Sequence, residues 1–137
     1  GAEVKINDIP GYLPLLNNPE LDDLLFENVE QFLEKEEIKA GSSFTGSFDF
    51  GDISHIMPAL HPFFGGVRGD LHTRNFKITD NELAYIIPAK TMAMTIIDLL
   101  FDRAEKAKNI INNYQPVLNK NEYLELLEKF NKDIHFQ

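Results

Sequence analysis

The hydrophobic and polar positions of the first forty residues predict one strand and one helix. Residues 2–9, AEVKINDI, alternate apolar and polar side chains, a pattern typical of a short strand. Apolar side chains recur at helical spacing after Asn18-Pro19, where asparagine is a favoured cap and proline a favoured first helical residue. This helix is expected to end in the acidic stretch near Glu37.

The central segment predicts a short helix followed by a buried strand. The helix is expected to start at a cap formed by Ser47 or Asp49 and to end at Pro58, because proline cannot continue the helical hydrogen bonds. The apolar run ALHPFFGGV, residues 59–67, is expected to form the strand. Glycines at 65, 66 and 69 then predict turns.

The remaining pattern predicts the longest helix of the chain and two further helical stretches. The longest helix is expected to begin between Thr79 and Pro88 and to run past Leu100, with a kink or a late start at Pro88. Residues 102–114 are expected to continue or follow it, and residues 123–130 to form a terminal helix. Strands and helices in this order predict an α/β protein.

Composition and charge limit the classes of partner and of metal ligand that can be expected for this chain. The chain has 137 residues with 13 basic and 22 acidic side chains, a formal charge of −9. That charge repels phosphate backbones and anionic bilayers, so neither nucleic acid nor a membrane is expected as a partner. With no cysteine, a metal would be held by His, Asp or Glu. No signal peptide is recognisable and no apolar run approaches membrane-spanning length, so the expected location is cytoplasmic.

The candidate chemistry is concentrated in residues 46–76, which contain three of the four histidines among glycines and prolines. His72 follows a turn and suits a metal ligand, an oxyanion donor or a substrate contact, although composition alone favours a surface histidine without a role. His55 lies three residues after Asp52, so both share a helix face, either as a functional pair or as a local hydrogen bond. His61 precedes proline and is either a ligand contact or a buried, satisfied histidine.

The acidic side chains and the known short motifs leave the reaction open. Asp49 and Asp52 are close enough in sequence to approach one metal ion, but an aspartate at a helix start is more often a cap. No metalloprotease, nucleophile-elbow or phosphate-loop motif is present. The residues alone therefore predict an α/β protein with a histidine-rich loop region.

The order of several weak motifs resembles the C-terminal region of one enzyme family. The motifs are PGYLPL (10–15), GSFDFGDISHIMPALHP (46–62), LHTRNF (71–76) and PAKTMAMTIIDLL (88–100). They resemble zinc-dependent amidohydrolases and peptidases that include aminoacylases, carboxypeptidase G and p-aminobenzoyl-glutamate hydrolase. The resemblance implies the C-terminal portion of a three-layer α/β/α catalytic domain over 16–137, preceded in 1–15 by the end of a lid domain.

The resemblance also implies roles for individual residues. His72 matches the family's last zinc ligand, in an enzyme that binds two zinc ions per site and hydrolyses an N-acyl amino acid or a peptide-like amide. The polar positions that would line the substrate cleft are Ser47, Asp49, Asp52, His55 and His61. Phe48 departs from the family, in which a small or polar residue is usual at that position.

The family's other zinc ligands and its general-base glutamate have no match before Gly46. One histidine cannot hold a two-zinc centre, so the chain is expected to be a C-terminal fragment that is inactive alone and binds zinc weakly or not at all. Its expected partners are an N-terminal half of a split or truncated enzyme and a second copy of itself, as a dimer. The alternative is a non-catalytic binding or assembly module that retains the fold.

Overall fold

The computed structural model describes residues 3–39, 41 and 46–136, the last two of these by their backbone alone. Helices and short strands alternate along this part of the chain, which agrees with the predicted α/β class in its general form. In chain order the elements are β1 (Val4–Asp8), α1 (Pro19–Val29), α2 (Asp49–Ile56), β2 (Val67–Arg68), β3 (Lys77–Ile78), α3 (Ile87–Asn113), α4 (Lys120–Phe130) and β4 (Lys132–Phe136). The described strands form two separate antiparallel pairs, β1–β4 and β2–β3.

The β1–β4 pair joins the two ends of the described chain. Ile6 lies opposite Ile134, and the side-chain amide of Asn7 donates a hydrogen bond to Asp133 Oδ1 at 2.7 Å. The strand predicted over 2–9 is therefore confirmed within its described part. Its partner β4 was not predicted, because five residues directly after a helix carry no turn signal that would mark a strand.

Helix α1 begins as predicted but ends earlier. Asn18 Oδ1 accepts a hydrogen bond from the Leu21 amide at 3.0 Å, which confirms the cap, and Pro19 is the first helical residue. The helix ends at Val29, so the end expected near Glu37 is wrong. The backbone N–H of Glu34 instead donates to the Glu37 carboxylate at 3.1 Å, and this reciprocal capping starts a separate 3₁₀ turn.

The strand predicted over 59–67 is wrong. Most of this segment is irregular, and only β2 at its end pairs with another strand. Prolines at 58 and 62 remove two amide donors, which a central strand would need for its ladder. The predicted glycine turns are confirmed: Gly69 has a φ of 94°, and a side chain there would collide with the backbone of Asn75.

Helix α3 starts late, as predicted from Pro88, and then breaks. Asp80 Oδ1 accepts from the Leu83 amide at 3.0 Å, a π-type turn follows over Glu82–Ile86, and α3 begins at Ile87. It runs past Leu100 as expected, but in two stretches, because the backbone leaves helical geometry at residues 101–104. The φ values of residues 102, 103 and 104 are 46°, 57° and 61°, in the left-handed region that disfavours side chains.

The centre of the fold is the contact between α1 and α3, and this contact is unusually polar. The Asn28 amide donates to the Leu24 carbonyl at 3.1 Å, to Thr95 Oγ1 at 3.3 Å and to Asp98 Oδ2 at 2.9 Å. Thr91 is fully buried beside them. The buried apolar residues among those described are few: Leu24, Leu25, Val29, Ala59, Ile87 and Ile110.

The segment Glu82–Asn113 is long and apolar enough to cross a membrane by length and composition, with a mean hydropathy of 1.5 in its most apolar window. The expectation that no apolar run approaches that length is therefore wrong. Length and composition alone do not place the segment in a bilayer, because a core helix of a globular protein passes the same test.

The two buried threonines of α3 give a matched test of this polar contact. Thr95→Val removes a hydroxyl that bonds Asn28 and the Thr91 carbonyl, so we expect the free energy of unfolding to fall by about 1–2 kcal/mol. Thr91→Val removes a buried hydroxyl with no partner in the described structure, so we expect no loss or a gain of up to about 1 kcal/mol. Urea unfolding measures both, and equal losses for the two variants would contradict the assigned network.

Candidate functional site

The site is built around α2, which the segment before α1 holds in place. The Leu13 amide donates to Asp52 Oδ1 at 2.9 Å, and the Leu16 amide donates to Ser54 Oγ at 3.0 Å. Gly51 lies under this segment, and a side chain there would collide with the Leu13 carbonyl. Glycine at 51 is therefore what allows the PGYLPL segment to approach α2 so closely.

The start of α2 differs from the expectation. Its cap is Phe48, with no side-chain hydrogen bond, so the predicted caps Ser47 and Asp49 are both wrong. Ser47 instead pairs by its backbone with Pro14, and Asp49 is the first helical residue. Both side chains are exposed, and the Asp49 carboxylate lies at the positive end of the helix dipole.

His55 is buried on α2 and is tied to the helix itself. Its Nδ1 lies 2.9 Å from the Gly51 carbonyl, an acceptor that assigns the proton to this nitrogen. Its own carbonyl accepts from the Leu118 amide at 3.1 Å, and the neighbouring Ser54 carbonyl accepts from the Tyr114 hydroxyl at 2.8 Å. His55 therefore lies where the chain before α4 is fastened to α2.

Asp52 is half-buried and connects α2 to α4. Besides the Leu13 amide, its carboxylate lies within hydrogen-bonding reach of the Tyr123 phenol. Burial raises the pKa of Tyr123 above its ordinary value, and the charge of Asp52 and this hydrogen bond raise it further. Asp52 and His55 share α2, but each makes its hydrogen bond to a different part of the chain.

His61 lies in a cluster of aromatic rings. The ring centroids of Phe48, Phe50 and Phe63 are 4.9, 5.3 and 5.1 Å from that of His61. Its backbone N–H donates to Asn17 Oδ1 at 3.0 Å, and its Nδ1 is enclosed with no hydrogen-bond partner in the described structure. Nδ1 of His61 is therefore a buried polar atom for which the described residues supply no partner.

His72 stands apart from these groups. It is exposed, with a φ of 63°, in the turn that joins β2 to β3. The residues described contain no group of three His, Asp or Glu side chains that could hold a metal ion, at His72 or elsewhere. The described residues alone therefore do not complete the zinc centre that the resemblance implies.

Sequence reasoning missed the contribution of α4 to the site. Tyr123 was assigned only to a terminal helix, yet it reaches Asp52. One face of α4 is indicated by the helical spacing of four side chains, Tyr123, Leu126, Leu127 and Phe130. This spacing does not indicate which part of the chain the face contacts. Three residues of this face, Leu126, Leu127 and Phe130, line a groove of about 340 Å³ together with residues 8–13. The fourth histidine, His135, belongs to β4 by its backbone, and its side chain lies outside the description.

Comparison with known proteins relates the chain to hydrolases. It is 26% identical over 126 residues, 85% of this chain, to a human protein named Xaa-Arg dipeptidase. It is 28% identical over 110 residues, 77% of this chain, to an uncharacterised hydrolase of Sinorhizobium fredii, and 32% identical over 79 residues to the mouse Xaa-Arg dipeptidase. The chain spans 28%, 26% and 18% of the lengths of these three relatives. No family model and no solved structure matches the chain.

The raised pKa of Tyr123 gives a test of the α2–α4 contact. We expect Asp52→Asn to lower this pKa, while burial keeps it above the ordinary value of 10.0. Asp49→Asn, on an exposed carboxylate of the same helix, is the control and should change nothing. Phenolate absorbance measures the titration, and Tyr123→Phe identifies the transition among the four tyrosines. An unchanged titration in Asp52→Asn would contradict the contact.

The same shift gives the direction of the pH dependence of stability. The pKa of Tyr123 is raised in the folded state. The stability that its protonated phenol contributes is therefore fully present below pH 10, and it is lost as the pH rises through the folded-state pKa. We expect Tyr123→Phe to flatten this alkaline loss, which urea unfolding at increasing pH measures. An alkaline loss of stability as steep in Tyr123→Phe as in the parent chain would contradict the assignment.

For metal binding, we expect at most one weak zinc site per chain, because the described residues contain no group of three metal ligands. Calorimetric titration of the chain with Zn²⁺ measures this, and His72→Ala should abolish whatever binding is seen. Arg74→Ala, in the same exposed turn, is the control. Two tight sites per chain in the absence of a partner would contradict this reading.

Proposed function

We propose that this chain is the C-terminal part of a metal-dependent hydrolase that cleaves an N-acyl amino acid or a peptide-like amide bond. The proposal rests on the similarity to hydrolases over 126 residues, which is 85% of this chain. A stretch that covers so much of the chain includes the segment from Ser47 to His72, where the candidate site residues lie. The name Xaa-Arg dipeptidase of two of these relatives favours a peptide-like amide as the substrate.

In this proposal the residues of α2 position the cleft and the exposed ones contact the substrate. Asp52 and His55 are positioning residues, since their hydrogen bonds go to Leu13 and Gly51 within the chain. Ser47 and Asp49 are exposed at the start of α2 and are free to meet a ligand. His61, with its enclosed and unpaired Nδ1, supplies a further polar contact.

His72 takes the role of a zinc ligand in the complete enzyme, where two zinc ions would polarise the amide carbonyl and activate water. The other ligands would come from an N-terminal half, because the described residues contain no group of three metal ligands. The exposed turn that carries His72 leaves the imidazole accessible to such a partner. On this proposal the chain alone is inactive, and it forms the C-terminal part of a three-layer catalytic domain.

A non-catalytic binding or assembly module is the second candidate. It is favoured by one observation: the polar groups of α2 that sequence reasoning marked for chemistry are largely engaged in hydrogen bonds that hold the fold together. A module of this kind would keep Asp52 and Ser54 for packing and would need no metal. The two candidates differ in whether His72 has a function.

The coding sequence upstream of this chain distinguishes the two. The hydrolase proposal expects a neighbouring frame with the missing metal ligands, and the protein that joins it to this chain should hydrolyse an amide in a metal-dependent manner. His72→Ala in the joined protein should lower kcat by about a thousandfold or more, since loss of a ligand disrupts the metal site. Arg74→Ala is the matched control. Full activity of the His72→Ala protein would exclude the proposed role and favour the module.

A further inference from the structure

Helix α3 has one apolar face that nothing in the described chain covers. Six residues of its first stretch share this face at spacings of three and four, and all six are exposed: Ala89, Met92, Ala93, Ile96, Ile97 and Leu100. The opposite face carries Thr91, Thr95 and Asp98, which pack on α1. The helix therefore packs polar side chains, beside Ile87, against α1 and leaves an apolar face exposed, which is unusual for a helix on the surface of a monomer.

The total surface of the chain is larger than that of a typical folded monomer of its mass. A folded monomer of this mass, 15.7 kDa, exposes about 7,300 Å² on the usual size scaling. The chain exposes 10612 Å², an excess of roughly 3,300 Å² over that value. A stable dimer needs each partner to bury about 800 Å² or more, and obligate dimers bury considerably more. The exposed area is therefore ample for a permanent interface.

A bilayer does not fit this face. The helical rise from Ile87 to Leu100 is about 21 Å, against about 30 Å for the hydrocarbon core. The helix leaves regular geometry directly after Leu100, and Asp98 lies within the same stretch. The net charge of −9 also opposes binding to anionic lipid.

The face is complementary to itself when two copies of the helix run antiparallel. Small residues, Ala89 and Ala93, lie toward its N-terminal end, and bulky branched ones, Ile96, Ile97 and Leu100, lie toward its C-terminal end. A twofold axis between Ala93 and Ile96 places Ala89 opposite Leu100 and Ala93 opposite Ile96. Bulky side chains then fill the space left by small ones on the partner, which is what close helix packing requires.

We propose that this face of α3 is an isologous interface with a second copy of the chain, in which the two α3 helices pack antiparallel about a twofold axis. The interface residues lie outside the α2 site, so substitutions in this face test dimerisation without changing any candidate site residue.

A pair of matched isoleucines tests the interface. Ile97 and Ile111 are both on α3 and are 62% and 63% exposed, but Ile111 lies beyond the break, outside the proposed face. Light scattering at micromolar concentration should give twice the chain mass for the parent and for Ile111→Glu. Ile97→Glu should be monomeric, with at least a hundredfold weaker dimerisation and an unchanged circular dichroism spectrum. A monomeric parent, a dimeric Ile97→Glu or a monomeric Ile111→Glu would each overturn the proposal.

Crosslinking tests the antiparallel geometry without disrupting the interface. The chain has no cysteine, so single Ala89→Cys and Leu100→Cys variants each carry one thiol. A bis-maleimide with a span of about 8 Å should link the two variants when they are mixed, and link neither variant to itself, because like positions lie about 16 Å apart along the axis. Crosslinking of each variant alone as efficiently as of the mixture would overturn the antiparallel arrangement.

Discussion

The hydrogen bonds of Asn28 determine how α3 packs against α1, and the arrangement of the other elements depends on this contact. By holding Thr95 and Asp98 against α1, they fix the rotation of α3 about its own axis. In another rotation the buried side-chain amide of Asn28 would lose its bonds to Thr95 and Asp98, at a cost of about 1–3 kcal/mol. In the rotation that these bonds hold, the apolar face of α3 is exposed.

The α2 site follows from a second constraint, the close approach that Gly51 permits. Because the PGYLPL segment lies close to this glycine, backbone amides before α1 donate hydrogen bonds to Asp52 and Ser54. These two side chains are therefore already engaged with the backbone. The exposed polar side chains at the start of α2 are Ser47 and Asp49, while Nδ1 of His61 is enclosed. A rigid helix with functional groups at its margins is a common way to position a binding cleft.

The sequence predicted those features that depend on local chemistry. The cap at Asn18, the glycine turns and the late start of α3 at Pro88 each follow from one or two residues and their allowed dihedral angles. The features it missed depend on distant partners. The strand expected over 59–67 found no neighbour to pair with, β4 exists only because β1 lies beside it, and Tyr123 meets Asp52 through tertiary packing. The roles assigned to His72 and to the cleft residues stay predictions, since they depend on a metal, a substrate and further ligands that the described chain does not contain.

The pairing of β1 with β4 has a consequence for how the protein folds. Asn7 and Asp133, which bond across this pair, are 126 positions apart, so the ribbon closes a loop that contains almost the whole chain. Closing so long a loop is entropically unfavourable until the helices between its ends have collapsed, which makes the ribbon one of the last elements to form. During that interval each of the two strands has open edges and two apolar side chains among its five, so these strands are vulnerable to pairing with other chains.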